Sequence, residues 1–435
     1  MPEPPAGKTL HLTNAYHPTS GGIRTVYRTL LSTAEALERQ IRLVVPGPRN
    51  AVETVGRFGV IYHVAAPRAF AVDRRYRLIL PTKYLVPWVD GLRQILRAEQ
   101  PDIIEVCDKH SLPYLAGLLR RGWVPGVRRP TLVAMSAERF DDNVSTFVSS
   151  GRAASAFARW YMRDIYAPMF DVHLANSVYT AQELLDVLPA HRRQAVRISP
   201  PSLAADAFDV PPRADARAAM LALTGGDTRT RVLAYVGRLS REKNLGLLVD
   251  SLARLMAGEE AGGDLYHLAV AGEGPERALL EHARARLGGR LHLVGNLSGG
   301  VAVRHFLAGA DLFVHPNPRE PFGLAPLEAM ACRVPVVVPD TGGVCTYATE
   351  ETAWVARPTP QAFAQTIRRA LEEREGTAAR VAAAAMRATE FREQRVVPRY
   401  FAMLDALHRQ RVSGQAGTIP EVIPGTMASE PAASR

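Results

Sequence analysis

The sequence predicts an α/β protein built from two domains, and three observations support this prediction. The chain has 435 residues, more than one ordinary domain needs and suited to two of roughly 200 residues. Apolar strand-like runs alternate with segments of helical periodicity, as in a parallel sheet covered by helices on both faces. The alternation stops near residue 198 and restarts after a Pro- and Ala-rich stretch, so two such layers follow each other along the chain.

The first domain is expected over residues 1–203. Its first strand is followed by a loop containing Ser20-Gly21-Gly22, and then by a helix with apolar residues at Val26, Leu30, Ala34 and Leu37. The strands predicted in this domain are apolar runs at residues 9–14, 41–46, 102–106, 131–135 and 171–177.

The second domain is expected over residues 213–393. Its predicted strands are near-continuous apolar runs, typical of burial on both faces of a sheet: residues 231–237, 266–272, 290–295, 311–316 and 334–339. A further helix, at about 394–411, follows the completed second sheet. Residues 412–435, rich in Gly, Pro, Ala, Ser and Thr, are predicted to be a disordered tail.

The charge of the chain is concentrated in its first half. The formal net charge is +10; residues 1–200 carry 26 basic and 17 acidic residues, and residues 201–435 carry 27 and 26. Such a basic half fits nucleic acid, an anionic membrane surface or an anionic substrate, and Arg-rich composition alone is an equal explanation. Nucleic acid is disfavoured because no recognition motif or basic–aromatic stripe is present.

Membrane spans and metal centres find little support in the sequence. No apolar run reaches the ~18 residues that a spanning helix needs. The three cysteines, Cys107, Cys332 and Cys345, are far apart and lack metal-ligand spacing, which indicates a reducing compartment and a cytoplasmic protein. No Asp-x-Asp occurs, so a metal-bridged diphosphate has no evident ligands, and we expect no metal and no cofactor.

The most informative block runs from Asp311 to Gly343. A strand is followed by the loop Arg319-Glu320-Pro321-Phe322-Gly323-Leu324 and then by a helix that contains Glu328. Free backbone N–H groups at the start of a helix form a site for phosphate. A loop carboxylate and a helix carboxylate eight residues apart can reach different hydroxyl groups of one polyol ligand.

Two further blocks supply cations and glycines. Arg238 and Lys243 lie on a predicted strand-to-helix loop, where they can neutralise a diphosphate without metal. Gly21 and Gly22 follow the first strand, and Gly272 follows a later one; each allows close backbone approach to a ligand. Neither cluster matches the dinucleotide fingerprint or the P-loop, which argues against a dehydrogenase and a P-loop kinase.

Together these blocks resemble the GT-B glycosyltransferases of family 4, the retaining "glycosyl transferases group 1". The resemblance runs from SGGIRT through VGRLSREKN and AGEGP to REPFGLAPLEAM and the final helix. The segments SGGIRTV, VVPGPR and AERFDD are most similar to the lipid-directed mannosyltransferases of that family.

The resemblance implies a fold, a reaction and a set of roles. It implies two Rossmann-like domains facing across a cleft, with the last helix crossing back to the N-terminal domain. A hexose, of mannose or glucose type, moves from a GDP- or UDP-linked donor to an acceptor hydroxyl, which in some members is lipid-linked. The implied donor contacts are Glu328 to the ribose, Glu320 to the sugar, Arg238 and Lys243 to the diphosphate, Phe322, Gly323 and Leu324 through backbone N–H groups, Gly272 near the base, and Gly21 and Gly22 from the other domain.

The sequence departs from the family pattern at two places. Many relatives carry a His after the strand that here continues into Ser136, Ala137, Glu138 and Arg139. Glu138 or Arg139 is therefore a candidate to replace it, and His110 is a second candidate on the acceptor side. Relatives also place a Glu shortly after two glycines, where this chain has Cys345 and Thr346.

Two alternatives to a metal-independent hexosyltransferase stay open at this point. A sugar-nucleotide epimerase of the same architecture would convert donor without acceptor, and a non-catalytic protein would bind nucleotide without transfer. Peripheral contact of the basic N-terminal half with the inner face of an anionic membrane is a further hypothesis, with the Arg74-Arg75, Arg120-Arg121 and Arg128-Arg129 pairs as candidates.

Overall fold

The structure is a computed structural model that describes residues 7–16, 22–69, 77–85, 91–147, 151–260, 263–415 and 417–423. The chain divides into two compact units, one of Met1–Ser202 with Glu393–Arg435 and one of Leu203–Arg392. Both units are α/β, as the sequence predicts.

The first unit contains an eight-stranded sheet in the order β3-β4-β2-β1-β5-β6-β7-β8. Seven strands are parallel, and only β3 runs antiparallel, against β4. The strands are β1 Thr9–Thr13, β2 Ile41–Gly47, β3 Ala51–Val55, β4 Gly59–Ala65, β5 Ile103–Cys107, β6 Thr131–Ser136, β7 Val172–Ala175 and β8 Val196–Ile198.

Helices cover this sheet, and their apolar sides form one core with the inner strands. Helix α7 shows why such a helix begins where it does, because the Ser177 hydroxyl accepts the N–H of Thr180 in a capping box. The helices are α1 Gly22–Thr33, α2 Thr82–Leu85, α3 Gly91–Glu99, α4 Pro113–Arg120, α5 Phe140–Phe147, α6 Arg152–Trp160, α7 Val178–Val187 and α8 Ala190–Arg193.

The second unit contains a six-stranded, fully parallel sheet in the order β11-β10-β9-β12-β13-β14. This is the doubly-wound order, in which ligands bind beyond the carboxyl ends of the strands at the point where the order reverses, here between β9 and β12. The strands are β9 Thr230–Val236, β10 Leu265–Ala271, β11 Leu291–Gly295, β12 Leu312–Val314, β13 Val336–Pro339 and β14 Trp354–Ala356.

The helices of the second unit pack on a separate core centred on the buried faces of β9, β10, β12 and β13. They are α9 Arg213–Thr224, α10 Leu245–Ala257, α11 Arg277–Arg286, α12 Gly300–Gly309, α13 Leu324–Ala331, α14 Pro360–Glu372 and α15 Arg374–Thr389.

The last helix, α16 (Glu393–Ser413), belongs to the first unit. Buried polar contacts attach it there. Asp405 accepts two hydrogen bonds from the Arg39 guanidinium, at 2.8 and 2.9 Å. The Tyr400 hydroxyl donates to the buried Glu105 carboxylate, which also accepts from Tyr27 of α1 at 2.7 Å.

The prediction of a disordered tail from residue 412 is wrong for the part that the structure describes. Helix α16 continues to Ser413, and the side chains of Val422 and Ile423 are fully buried. The Gly- and Pro-rich composition of the segment concealed this short apolar pair. The sequence reading also missed β3, β4, β8 and β14, which are short or only partly apolar.

Candidate functional site

The carboxylate of Glu320 lies in the loop after β12, and only 7% of the residue is exposed. Three side chains surround it. Lys243 Nζ donates to both carboxylate oxygens, at 3.0 and 2.7 Å. Asn317 Nδ2 donates to Oε2 at 3.0 Å, and His315 Nε2 lies 3.4 Å from the same oxygen. The carboxylate is thereby fixed in one orientation.

The lysine that meets Glu320 comes from the loop after β9. A 3₁₀ turn, Arg241–Lys243, ends at Asn244, whose left-handed backbone (φ 53°) leads into α10. The Asn244 side chain donates to the carbonyl of Pro316 at 3.2 Å, which joins this loop to the loop after β12. The structure thus brings together two predicted site residues that are 77 positions apart, at the point where the strand order reverses.

The surroundings of Glu320 keep it ionised. Burial opposes the charge, but the Lys243 ammonium and the His315 imidazole outweigh this effect and hold the pKa of Glu320 far below its ordinary value. At neutral pH the group is therefore a carboxylate that only accepts hydrogen bonds. Hydroxyl groups, like N–H groups, can donate to it.

Arg238, the second predicted cation, lies on the same loop as Lys243 but does not contact Glu320 in the contacts that the structure records. Its guanidinium pairs with Glu242 at 2.6 Å, and 44% of its side chain is exposed. Glu242 also accepts a hydrogen bond from Ser240 at 2.5 Å. This pair holds the loop in shape while the guanidinium stays accessible to an anion.

The predicted donors Phe322, Gly323 and Leu324 lead into α13. Phe322 is buried with rings of Tyr347 and Phe391 around it, at centroid distances of 5.1 and 5.7 Å. Gly323 precedes the helix, so the first N–H groups of α13, beginning with that of Leu324, lack partners within the helix. This is the arrangement that favours an anion.

The glycine pair after β13 fits tightly beneath this loop. A Cβ on Gly343 would lie 1.9 Å from the carbonyl oxygen of Pro321, so only glycine allows this approach. The Tyr347 hydroxyl donates to the Gly323 carbonyl and supports the start of α13. Cys345 and Thr346 complete the 3₁₀ turn Gly343–Thr346 in place of the glutamate expected from relatives.

Glu328 is one turn into α13 and does not contact Glu320. It is half-buried, beside the ion pair of Arg304 and Asp206, which meet at 2.9 Å. Burial and the Asp206 carboxylate raise the pKa of Glu328 to about 7, and Arg304 only partly offsets them. This carboxyl is therefore half protonated near neutral pH.

Gly272 follows β10, at a point where its backbone lies close to the backbone of Gly237. Its φ is 142°, and a Cβ there would lie 1.8 Å from the carbonyl oxygen of Gly237. The Gly272 N–H donates to Gly295 at 2.7 Å. Gly272 therefore has a structural reason to be glycine, and contact with a nucleotide base stays a prediction.

In the first unit the predicted residues lie at the carboxyl ends of strands but do not form a cluster of contacts. Gly21 lies outside the described residues, and Gly22 is the exposed first residue of α1. His110 is exposed after β5; its backbone N–H donates to Asp108, and its ring lies 5.8 Å from that of Phe140.

Glu138 lies after β6, on a loop that a buried ion pair holds in place. Its carbonyl oxygen accepts a hydrogen bond from Lys109 Nζ at 2.6 Å, and the same ammonium pairs with Glu183 at 2.6 Å. Arg139, the alternative candidate, pairs with Asp141 at 2.6 Å and stacks on Tyr179. Arg139 is thus engaged within its own unit, which leaves Glu138 as the better candidate.

Four polar residues that support predicted site residues, two in each unit, were not predicted from the sequence. In the second unit His315 and Asn317 contact Glu320. Their position directly after β12, within the informative block, could have identified them from the sequence. Lys109 and Glu183 hold the Glu138 loop and come from distant segments without a motif, so only the fold reveals them.

Two further properties concern the described ranges of the chain, metal ligation and membrane spanning. No group of three or more His, Cys, Asp or Glu side chains there is placed to hold a metal ion. Within the same ranges no helix has both the length and the apolar character that a bilayer span requires.

Comparison with sequences of known proteins gives one consistent result. The family model "Glycosyl transferases group 1" matches residues 224–387. The GDP-mannose-dependent alpha-(1-6)-phosphatidylinositol dimannoside mannosyltransferase of Mycobacterium tuberculosis is 31% identical over 361 residues, 83% of this chain and 87% of that protein. A GDP-mannose-dependent alpha-mannosyltransferase of Mycolicibacterium smegmatis is 29% identical over 252 residues, 57% of this chain and 58% of that protein.

Solved structures agree on the fold. The Anabaena HepE protein in complex with UDP-glucose has a TM-score of 0.67 at 17% identity, with 94% of this chain and 100% of that chain covered. Sucrose-phosphate synthase from Thermosynechococcus elongatus has a TM-score of 0.69 at 18% identity, with the same coverage. At such identities the likeness concerns the fold alone.

Proposed function

This chain belongs to the glycosyl transferases group 1, and from that premise we propose that it transfers mannose from GDP-mannose to an acceptor hydroxyl with retention of configuration. The protein is a glycosyltransferase with a GT-B fold. The proposal also names the donor: the sugar is mannose and the nucleotide is GDP. Their support is that the two mycobacterial relatives described above, one of them aligned over most of this chain, are named as GDP-mannose-dependent.

The observation that carries the proposal is the Lys243–Glu320 pair at the switch point of the second sheet. Glu320 is a fixed carboxylate that can accept hydrogen bonds from sugar hydroxyls. Lys243 has three N–H donors, of which two are used on Glu320, so one remains to reach a phosphate oxygen. One ion pair therefore offers partners for both sides of the bond that breaks in a nucleotide-sugar.

The residues around this pair can stabilise the leaving nucleoside diphosphate. Its departure creates negative charge on phosphate while the sugar gains oxocarbenium character, as in glycoside hydrolysis. Lys243, the exposed guanidinium of Arg238 and the free N–H groups at the start of α13 are preplaced positive groups that lower this barrier. We propose that they do so without a metal ion.

Retention follows if the acceptor attacks the face from which the diphosphate departs. The bond from the anomeric carbon to phosphate oxygen breaks, the bond to the acceptor oxygen forms, and the acceptor proton passes to the departing phosphate. On the acceptor side we propose contacts from Glu138 and His110, with Gly22 approaching the diphosphate. Glu328 would bond the ribose hydroxyls. A cytoplasmic protein acting on a lipid-linked acceptor at the inner membrane face is the setting we propose.

The test is a donor panel. The purified chain is incubated with GDP-mannose, UDP-glucose and ADP-glucose, each with and without a phosphatidylinositol mannoside acceptor, and the products are separated by chromatography. We expect mannosylated acceptor from GDP-mannose, unchanged by EDTA, and the largest rise in melting temperature with the same donor. Conversion of donor in the absence of acceptor would indicate an epimerase instead, and tight GDP-mannose binding without any transfer would indicate a non-catalytic protein.

A further inference from the structure

Helix α6 of the first unit exposes two large aromatic side chains to solvent. Phe157 is 50% exposed and Trp160 is 46% exposed, and their ring centroids lie 5.9 Å apart. Within α6 only Ala158 is buried. Exposing adjacent large aromatic groups on one helix is unfavourable in water, so this surface is a candidate interaction site.

The cations of α6 lie beside Trp160. At about 100° per residue, Phe157 and Trp160 lie about 60° apart around the helix, while Arg152 and Arg159 lie within about 20° of each other and about 80–100° from Trp160. Both arginines are exposed, and neither guanidinium has an ion-pair partner within the described part of the chain. A helix with an aromatic face bordered by arginines has the pattern of an interfacial helix.

A second apolar surface lies along α4, which packs against the segment Ala167–Met169 that follows α6. The ring of Tyr161 lies 6.3 Å from that of Phe157. From Tyr114 an apolar groove of about 340 Å³ follows α4, and its walls include Leu85, Leu118 and Met169. At the far end of α4, Trp123 is 64% exposed, with the Arg121 guanidinium 5.5 Å from its ring.

The arginine pairs singled out in the sequence fit a membrane surface less well. Arg120 and Arg129 both pair with Asp171 at 2.8 Å, so one carboxylate offsets one of their two charges within the fold. Arg128 lies 3.6 Å from Asp102, and Arg74-Arg75 lie outside the described residues. Arg121 is the exception among these pairs, because it has no ion-pair partner within the described ranges and lies beside Trp123 on the surface described above.

We propose that the aromatic face of α6, with the groove along α4, binds reversibly to the surface of an anionic lipid bilayer. Aromatic rings of Phe157 and Trp160 enter the headgroup region, where Trp in particular is stabilised, and Arg152 and Arg159 meet lipid phosphates. Arg152 and Arg159 favour an anionic lipid surface over an apolar protein partner, because such a protein would leave the two arginines without counter-charges. The proposal rests on the proposed function only for its purpose, which is to bring the enzyme to a lipid-linked acceptor.

The test measures vesicle binding without donor or acceptor, so it can fail independently of transferase activity. Vesicles of phosphatidylcholine with one third phosphatidylglycerol are sedimented with the wild-type chain at low salt. We expect binding to these vesicles, weak binding to pure phosphatidylcholine, and loss of binding at high salt. Arg152→Ala with Arg159→Ala should lower the partition coefficient roughly 30-fold, since each basic residue near the surface contributes about a factor of five.

A double variant, Phe157→Ser with Trp160→Ser, should abolish binding at every salt concentration, and its melting temperature should stay unchanged because both side chains are exposed. Matched controls in the second unit are Val301→Ser with Met386→Ser, which are 60% and 71% exposed, and Arg284→Ala with Arg286→Ala on α11. We expect both controls to bind like wild type.

Two results would overturn the proposal. One is vesicle binding by the double serine variant equal to that of wild type. The other is an absence of vesicle binding together with a concentration-dependent dimer, detected by light scattering, that the serine variant abolishes; this would assign the face to a second copy of the chain. Transfer to a water-soluble acceptor should be the same for wild type and both α6 variants, which separates membrane binding from catalysis.

Discussion

In each unit the described residues include a lysine–glutamate pair on loops or helices that follow central strands, and the two pairs differ in their exposure and in their other partners. In the first unit Lys109 and Glu183 meet at 2.6 Å with side chains 2% and 4% exposed. In the second unit Lys243 and Glu320 meet at 2.7 Å with side chains 19% and 10% exposed. Similar chemistry and similar distances thus occur in different degrees of contact with solvent.

The other partners of each pair explain the difference. The Lys109 ammonium also donates to the Glu138 carbonyl, and the second oxygen of Glu183 accepts the N–H of Asp141 at 2.9 Å. Burial dominates there and raises the pKa of Glu183 in spite of the lysine. Around Glu320 the cations dominate and the pKa falls. A pair that is closed off supports a loop, whereas a pair that is partly open can exchange one partner for a ligand.

The largest effect is expected from breaking the open pair. Glu320→Gln and Lys243→Ala should each lower kcat by about 10²–10³, because each removes a preplaced charge from the reacting bond. Sugar transfer from the proposed donor to a saturating acceptor is the measurement. The melting temperature should change by only a few degrees, because Glu320→Gln removes the buried charge itself and, in Lys243→Ala, Asn317 and His315 still contact the Glu320 carboxylate.

A matched control for the open pair is Glu281→Gln on α11, an exposed glutamate whose arginine partner is likewise half-exposed. It should transfer sugar at the wild-type rate. Turnover within a fewfold of wild type in both Glu320→Gln and Lys243→Ala would show that the pair is structural, and the contrast between the two units would disappear.

Breaking the closed pair, Lys109–Glu183, should reduce stability more than activity, the opposite of the result expected for Lys243–Glu320. Lys109→Met leaves Glu183 without its counter-charge in a buried position and should cost about 3–5 kcal/mol of unfolding free energy. Replacing both partners, as Lys109→Met with Glu183→Leu, should recover much of that loss because no unpaired charge remains. Denaturant titration measures both changes.

The activity of the folded fraction gives the second readout for the closed pair. For the double variant we expect kcat within about tenfold of wild type, with most of the loss in the acceptor KM, because the Glu138 loop loses a support. A drop in kcat as large as that of Lys243→Ala, without a change in stability, would contradict a supporting role.

The sequence predicted more of the second unit than of the first, for a physical reason. In the second unit the site consists of residues on short loops that follow buried strands, so Lys243 and Glu320 could be placed at one sheet edge from the strand pattern alone. The short distance between them, and the support from His315 and Asn317, depend on how the loops pack. In the first unit the Lys109–Glu183 pair joins a loop to α7 across 74 residues, and no local pattern marks it.

The buried tail shows another limit of sequence reasoning. Composition predicts disorder when too few apolar residues are available to offset chain entropy. Here two apolar neighbours, Val422 and Ile423, are nevertheless fully buried, and their burial requires a surface formed by the rest of the fold. Such a surface belongs to the tertiary structure, which composition does not describe.

The smallest effect concerns Glu328, a third carboxyl group that lacks the cations of Glu320. Its pKa of about 7 lies above the ordinary 4.5, so the folded state retains a proton that the unfolded state releases. The stability that this provides is fully present below about pH 4.5 and is lost as pH rises through about 7. Relative to wild type, Glu328→Gln should therefore gain about 1–3 kcal/mol of unfolding free energy between pH 5 and pH 8.

Denaturant titration of wild type and Glu328→Gln at both pH values measures this gain, and Asp206→Asn separates its cause. Removing the Asp206 carboxylate lowers the pKa of Glu328, so the pH-dependent difference should move to lower pH. A difference between wild type and Glu328→Gln that is the same at pH 5 and pH 8 would mean that Glu328 is already ionised at pH 5. Nearby charge would then not decide the protonation of these carboxyl groups, and the explanation given for the two lysine–glutamate pairs would need a different basis.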